Sequence, residues 1–498
     1  MTSRPFPAGW CPNLSGEFGD TAHMALSAVA TTGIYCRATC TARPDPRNVS
    51  TYETNVAAEA AGYRPCLRCR PDRGAGSLRH LAVPEPLGHA LMLITDGFLD
   101  HHREDALAER VGYSGRQLRR LFLEHIGATP SAIAQSRRAH FARRLIDDTD
   151  LDFSSVARAA GFGSARQLHR AITSIFRFPP SELRAKRRRG ERPMLDGGLR
   201  LLVPYVAPYD IDQILDHLAS RCVPGVETMT GGVYRRSIHS CGHAGVAEVS
   251  DAGDGEHLEL TLHLPTFDSI IDEVEHCRSL FAVDEPPLGA IDALIDDPVI
   301  GTLAAQHPQL RVPRCWDRFE TAIRIVIGQQ ISVAGATTMV GRVVERHGDY
   351  FESGMDGITH LFPHPAALAE ADLDGLGFTG KRQETIRVLA TAVATGQIDL
   401  YATGSIATLE RTLCELPGIG PWTAHMIALR VLGHDDAMPS SDLGLKRGLS
   451  RLTGAAVDAV DLDQVAAGWR PQRSRAAQLL WTAADPSALD TPKEALNG

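Results

Sequence analysis

No apolar run in this 498-residue chain reaches the roughly 20 residues that a membrane-crossing helix needs. The opening MTSRPFPAGW lacks the charged-then-apolar pattern of an export signal. A disulfide framework is therefore not expected of the ten cysteines. A cytoplasmic protein, at the nucleoid and with no membrane partner, is expected instead. Six of the cysteines, Cys11, Cys222, Cys241, Cys277, Cys315 and Cys414, lack any ligand-like spacing and read as core or inert thiols. The length also excludes a single core and predicts three or more domains.

The net charge of -9 hides an asymmetry. Residues 1–193 carry 28 Lys and Arg against 19 Asp and Glu, while the remainder carries 23 against 41. A basic front half suggests a footprint on double-stranded DNA. The acidic rear half by itself argues against nucleic acid, so any DNA role there must rest on local motifs.

What is present begins with the other four cysteines. Cys36 and Cys40 form C-x3-C, and Cys66 and Cys69 form C-x2-C about two dozen residues later. Two short loops, each offering a thiolate pair, are what a tetrahedral Zn2+ ion requires. The flanking segments, Thr32-Gly33-Ile34-Tyr35-Cys36-Arg37 and Gly62-Tyr63-Arg64-Pro65-Cys66-Leu67-Arg68-Cys69, resemble the zinc domain of the Ada family of DNA alkylation sensors. The resemblance runs over most of residues 1–75. It implies that Cys36 accepts a methyl group irreversibly from a methylated DNA phosphate. Zinc keeps sulfur as thiolate, and thiolate is the nucleophile. Arg37, Arg43, Arg47, Arg64, Arg68 and Arg70 are candidates to hold the phosphate backbone. A four-cysteine zinc site used only for folding is the bland alternative, and the flanking match weighs against it.

A helical region follows the glycine-rich RGAGS and carries one pattern twice. Ala106-Leu107-Ala108, Gly112-Tyr113-Ser114, Gln117-Leu118 and Pro130-Ser131 are answered by Ser155-Val156-Ala157, Gly161-Phe162-Gly163, Gln167-Leu168 and Pro180-Ser181. Each copy predicts a helix, a tight turn at glycine, and a second helix ending before proline. That is helix-turn-helix geometry. The second helices carry Arg116, Arg119 and Arg120, then Arg166, His169 and Arg170, with Leu118, Leu121 and Phe122 facing inward. The stretch resembles the DNA-binding domain of AraC-type regulators, which implies that the two helices enter successive major grooves. A plain bundle with a solvated arginine face is the weaker reading. Lys186-Arg187-Arg188-Arg189-Gly190-Glu191-Arg192-Pro193 reads as a charged linker.

From about Leu201 the texture changes. His257 to Leu264 alternates strictly and predicts a half-buried strand, with Gly232–Ile238 and Gly245–Val249 as neighbours. Ile211, Ile214, Leu215 and Leu218 predict a helix packed on that sheet. This α+β unit is expected to end near Asp284-Glu285-Pro286-Pro287. The rest reads as helical, with Phe319, Ile323, Val326 and Ile327 leading into Gly328-Gln329-Gln330-Ile331-Ser332. Leu376 to Arg382 reads as a turn opening another helix.

Leu416-Pro417-Gly418-Ile419-Gly420-Pro421-Trp422 is a glycine hairpin running into an apolar helix. Gly418 and Gly420 let backbone N–H groups converge and make a phosphate seat without basic side chains. Asp442 stands about twenty residues on. Hairpin, Asp and Gln-Gln-Ile-Ser together resemble the helix-hairpin-helix DNA glycosylases of the AlkA type over residues 201–490. The resemblance implies excision of alkylated bases such as 3-methyladenine, with Asp442 stabilising the oxocarbenium-like sugar. It places the wedge that fills the vacated stack at Gln330, although the best-known AlkA type is apolar there. It places Trp422 and Trp481 around the base, with Met426 and Leu443 where further aromatics are usual. Trp422 also stands where lyase-active relatives carry lysine, which implies a monofunctional enzyme. A monovalent cation at the hairpin is a second expected cofactor.

The expected organisation is multidomain and mainly α with α+β parts. A four-cysteine zinc domain (1–75) precedes a double helix-turn-helix domain (80–189) and a linker (190–200). An AlkA-like α+β subdomain (201–290) and a helix-hairpin-helix glycosylase bundle (291–490) follow. No Pro-Cys-His-Arg motif of an O6-methylguanine methyltransferase is present. The expected activity joins methyl transfer, methylation-dependent transcriptional activation with RNA polymerase as partner, and base excision. Two rival readings remain. In one the rear half is a non-catalytic DNA-binding module, and in the other the front half only delivers the enzyme to DNA.

Overall fold

The computed structural model describes residues 26–37, 40–71, 78, 81, 83–186, 194–195, 198–285 and 291–484. The glycine-rich stretch 73–77, most of the charged linker (187–193), Pro286, Pro287 and Cys11 lie outside the described residues. No described helix is long and apolar enough to cross a membrane.

Near the N-terminus β1 (Leu26–Val29), β2 (Ile34–Arg37), β3 (Val49–Tyr52) and β4 (Arg64–Pro65) form a sheet in the order β3-β1-β2-β4. β2 carries Cys36, and its parallel pairing with β4 brings Cys66, the next residue after β4, alongside. The Asn55–Ala60 helix covers this small sheet and starts at an N-cap, Thr54, whose side chain accepts from the Ala57 N–H.

The two sequence copies fold as two helix-turn-helix units joined by one long helix, Pro130–Asp148. The first pairs Glu104–Arg110 with Gly115–His125, and the second pairs Phe153–Ala159 with Ala165–Phe176. Gly112 and Gly161, at φ +76° and +75°, supply the left-handed turn that a side chain would strain. Ser114 caps the first recognition helix in a reciprocal box with Gln117, and Ser164 caps the second. Leu118, Phe122, Leu168 and Phe176 are fully buried, which leaves Arg116, Arg119, Arg120, Arg166, His169 and Arg170 exposed on the opposite faces. Leu121 is half-buried against the first unit's core.

The N-terminal sheet is fastened to the long helix by a buried knot of polar groups. Glu59 accepts from Tyr35 (2.8 Å) and Ser136 (2.7 Å) and also pairs with His140. Arg70 ion-pairs with Asp147.

Further on, β5 (Met194–Leu195), β6 (Gly198–Pro204), β7 (Glu227–Thr230), β8 (Val233–Ser240), β9 (His243–Asp251) and β10 (His257–His263) form a second sheet. Its order is β5-β6-β10-β9-β8-β7, antiparallel throughout. The strands at 233, 243 and 257 are those the alternation predicted. Helix Ile211–Ala219 is also as predicted, while Ile270–Leu280 was not foreseen. The apolar residues of this unit share one core with the second helix-turn-helix unit.

A second large core holds the helical remainder, including Phe319, Ile323, Val326 and Ile327 from the Arg318–Ile327 helix. The basic front half meets acidic groups of the rear half along a seam. Arg137 pairs with Asp272 (2.8 Å), Arg110 with Asp399 (2.9 Å) and Arg158 with Asp268 (3.0 Å), while Arg318 of the rear half pairs in the opposite sense with Asp96 of the front half (2.7 Å). Part of the charge asymmetry is therefore matched inside the chain. Of the six cysteines read as core or inert, Cys277 and Cys315 are buried, Cys222 and Cys414 are half-buried, and Cys241 is exposed. Cys241 lies at a left-handed position (φ +48°) after β8 rather than in a core, so of that reading only the inert alternative applies to it.

Candidate metal centre and candidate active site

The sulfurs of Cys36, Cys40, Cys66 and Cys69 all lie within 4.8 Å of one another. Tetrahedral zinc with Zn–S bonds of about 2.3 Å sets its sulfurs roughly 3.8 Å apart, so the cluster has the dimensions of a Zn2+ site. Burial pushes the Cys36 thiol far above its ordinary range, with the charges of Cys66 and Cys69 adding to the shift. Burial likewise pushes Cys69 up to about 12. At Cys66 the effect of burial is overcome by the Cys69 and Arg68 N–H groups, and the pKa falls. A cluster of four sulfurs in which burial holds Cys36 and Cys69 protonated is a donor set that a dication relieves. Cys36 and Cys40 are 7% and 8% exposed, whereas Cys66 and Cys69 are half-buried.

The six surrounding arginines divide into two groups. Arg43, Arg47 and Arg68 are exposed. Arg37 donates to the Arg70 carbonyl (2.7 Å), Arg70 is held by Asp147, and Arg64 donates to the Pro65 carbonyl and lies over the Phe178 ring. These last three tie the sheet together or to the helical unit behind it, while of the exposed three Arg43 donates to the Cys40 carbonyl (3.2 Å) and Arg47 pairs with Asp45 (2.7 Å).

The second site is built at the junction of three helices. The hairpin is anchored by buried Leu416 and Ile419 and opens the Pro421–Arg430 helix. Gly418 has φ +85°, and a Cβ there would overlap the Thr385 hydroxyl, so glycine is required on both counts. Gly420 is the N-cap and no side chain caps the helix, while Pro421 has no N–H of its own. Gln329 reaches across to the hairpin, donating to the Gly418 carbonyl (3.1 Å) and the Thr423 hydroxyl (2.8 Å). Arg382 donates to the Gln329 carbonyl. The pair leaves Gln330 exposed in a left-handed conformation (φ +60°), with Ile331 and Val333 also exposed beside it.

Asp442 caps the Leu443–Thr453 helix. Its Oδ1 accepts from the Leu445 N–H and from Trp481 Nε1, both at 3.0 Å, and its Oδ2 accepts from Trp422 Nε1 at 3.0 Å. Both tryptophans expected around the base thus also grip the carboxylate, one on each oxygen. Sequence reasoning missed this role, because indole direction is set by packing and not by spacing. Trp481 comes from the Arg473–Ala484 helix, which packs close to the 443–453 helix where a Cβ on Gly448 would overlap the Leu480 carbonyl. Arg430 lies over the Trp481 ring at 5.0 Å and fixes its far side. An ionised carboxylate held by three donors at a helix N-terminus, beside an exposed hairpin, is a site that can stabilise a developing cation.

Comparison with known proteins covers each part of this architecture. Residues 20–72 match the metal binding domain of Ada, 107–186 a helix-turn-helix domain, 199–317 the AlkA N-terminal domain, and 323–465 the HhH-GPD superfamily of base excision DNA repair proteins. The chain is 38% identical to the probable bifunctional transcriptional activator/DNA repair enzyme AlkA of Mycobacterium tuberculosis over 458 residues, covering 91% of this chain and 92% of that protein. It is 31% identical to DNA-3-methyladenine glycosylase 2 of Escherichia coli, covering 55% of this chain and 94% of that one. It is 36% identical to the bifunctional transcriptional activator/DNA repair enzyme Ada of Escherichia coli, covering 32% and 42%.

Proposed function

Since the chain belongs to the family of bifunctional transcriptional activators and DNA repair enzymes, we propose that it carries out two reactions on alkylated DNA, base excision and methyl transfer to Cys36, and couples the second to gene activation. The observation that carries the enzymatic part is the grip of Trp422, Trp481 and Leu445 on the Asp442 carboxylate.

In the base-excision reaction the damaged nucleotide is turned out of the duplex and Gln330 enters the gap. The Gly418–Gly420 hairpin and the helix it opens seat a phosphate, where a bound monovalent cation would add positive charge. The bond from C1′ to the base nitrogen breaks, its electron pair leaves with the base, and an alkylated base such as 3-methyladenine departs neutral. Asp442 stabilises the cationic sugar while water adds to C1′ and releases a proton. Trp422 offers no amine, so no Schiff base forms and the product is an abasic site.

In the sensing reaction Cys36 Sγ attacks the methyl carbon of a DNA methyl phosphotriester. The S–C bond forms, the C–O bond breaks, and the phosphodiester leaves with the electron pair, so each chain reacts once. Cys36, Cys40, Cys66 and Cys69 would hold a Zn2+ ion, which would keep their sulfurs as thiolates at neutral pH. Arg43, Arg47 and Arg68 contact the phosphate backbone. Arg116, Arg119 and Arg120 then enter one major groove and Arg166 and Arg170 the next, in register for recruiting RNA polymerase.

One incubation tests both reactions. Duplex DNA treated with a methylating agent should lose 3-methyladenine, and the protein should gain a single methyl that mass spectrometry maps to Cys36. No base release refutes the first reaction. A methyl on Cys40, Cys66 or Cys69, or none at all, refutes the second.

A further inference from the structure

Between the hairpin helix and Asp442 the chain runs as an irregular loop, and its N–H groups are almost all engaged. Asp436 N–H donates to His434 Nδ1, Ala437 N–H to the Ser474 hydroxyl, Ser440 N–H to the Met438 carbonyl and Asp442 N–H to the Pro439 carbonyl. The central N–H, that of Met438, donates to His425 Nδ1 at 2.9 Å. Met438 is 2% exposed, so this group has no water to fall back on.

His425 lies on the 421–430 helix, one turn beyond Trp422. Because its Nδ1 accepts, its Nε2 carries the proton, and Nε2 lies 3.0 Å from Glu410 Oε2 on the Ile406–Cys414 helix. A carboxylate thus fixes the tautomer of an imidazole, which fixes a backbone N–H four residues before Asp442. The same helix therefore presents Trp422 to the carboxylate and His425 to the loop that delivers it.

We infer that His425, with Glu410 behind it, is a positioning residue for Asp442 that holds the carboxylate against the two indole donors. The inference rests on the reading of Asp442 as the catalytic carboxylate only for its kinetic consequence. Its geometric content stands apart, since the indole N–H groups of Trp422 and Trp481 report where Asp442 is. A displacement of about 1 Å at a reacting group commonly costs on the order of a hundredfold in rate.

The test uses the full-length protein with 15N-labelled tryptophan, the two indole signals being assigned with Trp422→Phe and Trp481→Phe. His425→Leu removes the acceptor, whereas His425→Asn places an amide oxygen where Nδ1 stands. In His425→Leu both indole signals should move, and single-turnover release of 3-methyladenine at saturating protein should fall roughly tenfold to a hundredfold with DNA affinity within about twofold. His425→Asn should restore both signals and bring the rate back to within about threefold of wild type. If His425→Leu does not fold, Glu410→Ala, which frees the ring to take the other tautomer, should move the same signals. Unmoved indole signals in the folded variant overturn the inference, as does a His425→Asn variant as perturbed as His425→Leu. Moved signals with an unchanged rate overturn the link to catalysis. Should wild type release no base while the signals behave as stated, the positioning role stands and the proposed excision reaction fails.

Discussion

Replacing Trp422 or Trp481 by phenylalanine separates two things each residue can do at Asp442. The aromatic face survives and stacking against a flipped base is kept, but the indole N–H is lost. Each N–H donates at 3.0 Å to its own carboxylate oxygen. A hydrogen bond to a charged group contributes about 1.5–3 kcal/mol, and every 1.36 kcal/mol of barrier is tenfold in rate. Part of the loss is recovered because the other indole and the Leu445 N–H still hold the carboxylate. Each single substitution should therefore slow release of 3-methyladenine by on the order of 10- to 100-fold. The double substitution should cost more than the product of the two, since it removes the donor that compensates each single loss. The assay is single-turnover release from alkylated duplex DNA, with DNA affinity and melting temperature measured alongside. Full rate in both phenylalanine variants would refute the carboxylate-holding role and leave only pocket lining.

Other consequences follow from the fold. Gly418→Ala combines an unfavourable φ of +85° with overlap on Thr385, so calorimetry should show a loss on the order of 2–4 kcal/mol; a loss under about 0.5 kcal/mol would contradict the geometry. Asp399 sits at the seam between the halves. Burial alone would raise its pKa, but hydrogen bonds from His89 and Arg110 hold the carboxyl well below the usual range. A depressed pKa means the contribution is present above the unfolded value near 4 and is lost as pH falls through the folded one. The melting temperature of wild type should thus exceed that of Asp399→Asn at pH 7, keep most of that gap at about pH 4 and lose it progressively as the pH falls further, and a gap constant with pH would refute this. Finally, methylating one of four zinc-bound thiolates takes the formal charge from −2 to −1. At about 10 Å and an effective dielectric near 20 that is worth on the order of 1–2 kcal/mol per phosphate. Methylated protein should bind its DNA roughly tenfold tighter at low salt, with the difference shrinking as salt rises, and equal affinities at low salt would exclude the switch.

Much of this architecture was legible because its signals are local. Four cysteines in two short loops, glycines at 112 and 161 in a repeated pattern, and a glycine hairpin ahead of Asp442 all constrain a few consecutive residues. The strand at His257 was legible from its alternation. What escaped lies in contacts that cross the chain. Arg70 looked like a phosphate ligand from its neighbours, but Asp147, which fixes it, is 77 residues away. Trp481 reads as an aromatic wall until its N–H is found on a carboxylate 39 residues earlier. Gln329, overshadowed by Gln330, is the one that clamps the hairpin, 89 residues on. The acidic rear half looked hostile to DNA by its totals, yet Asp268, Asp272 and Asp399 are paired with arginines of the front half. Totals cannot show where charge is matched internally.

Asp442 is proposed as the carboxylate that drives cleavage of damaged bases from DNA. Its most direct test is release of 3-methyladenine from alkylated duplex DNA by wild type and by Asp442→Asn, which keeps size and most hydrogen bonding but removes the charge. Losing such an electrostatic contribution commonly costs on the order of 10²–10³ in rate. The account predicts release by wild type, a loss of that size in the variant, unchanged DNA affinity, and unchanged methylation of Cys36. Wild type that releases no base, or a variant that works at full rate, would contradict it.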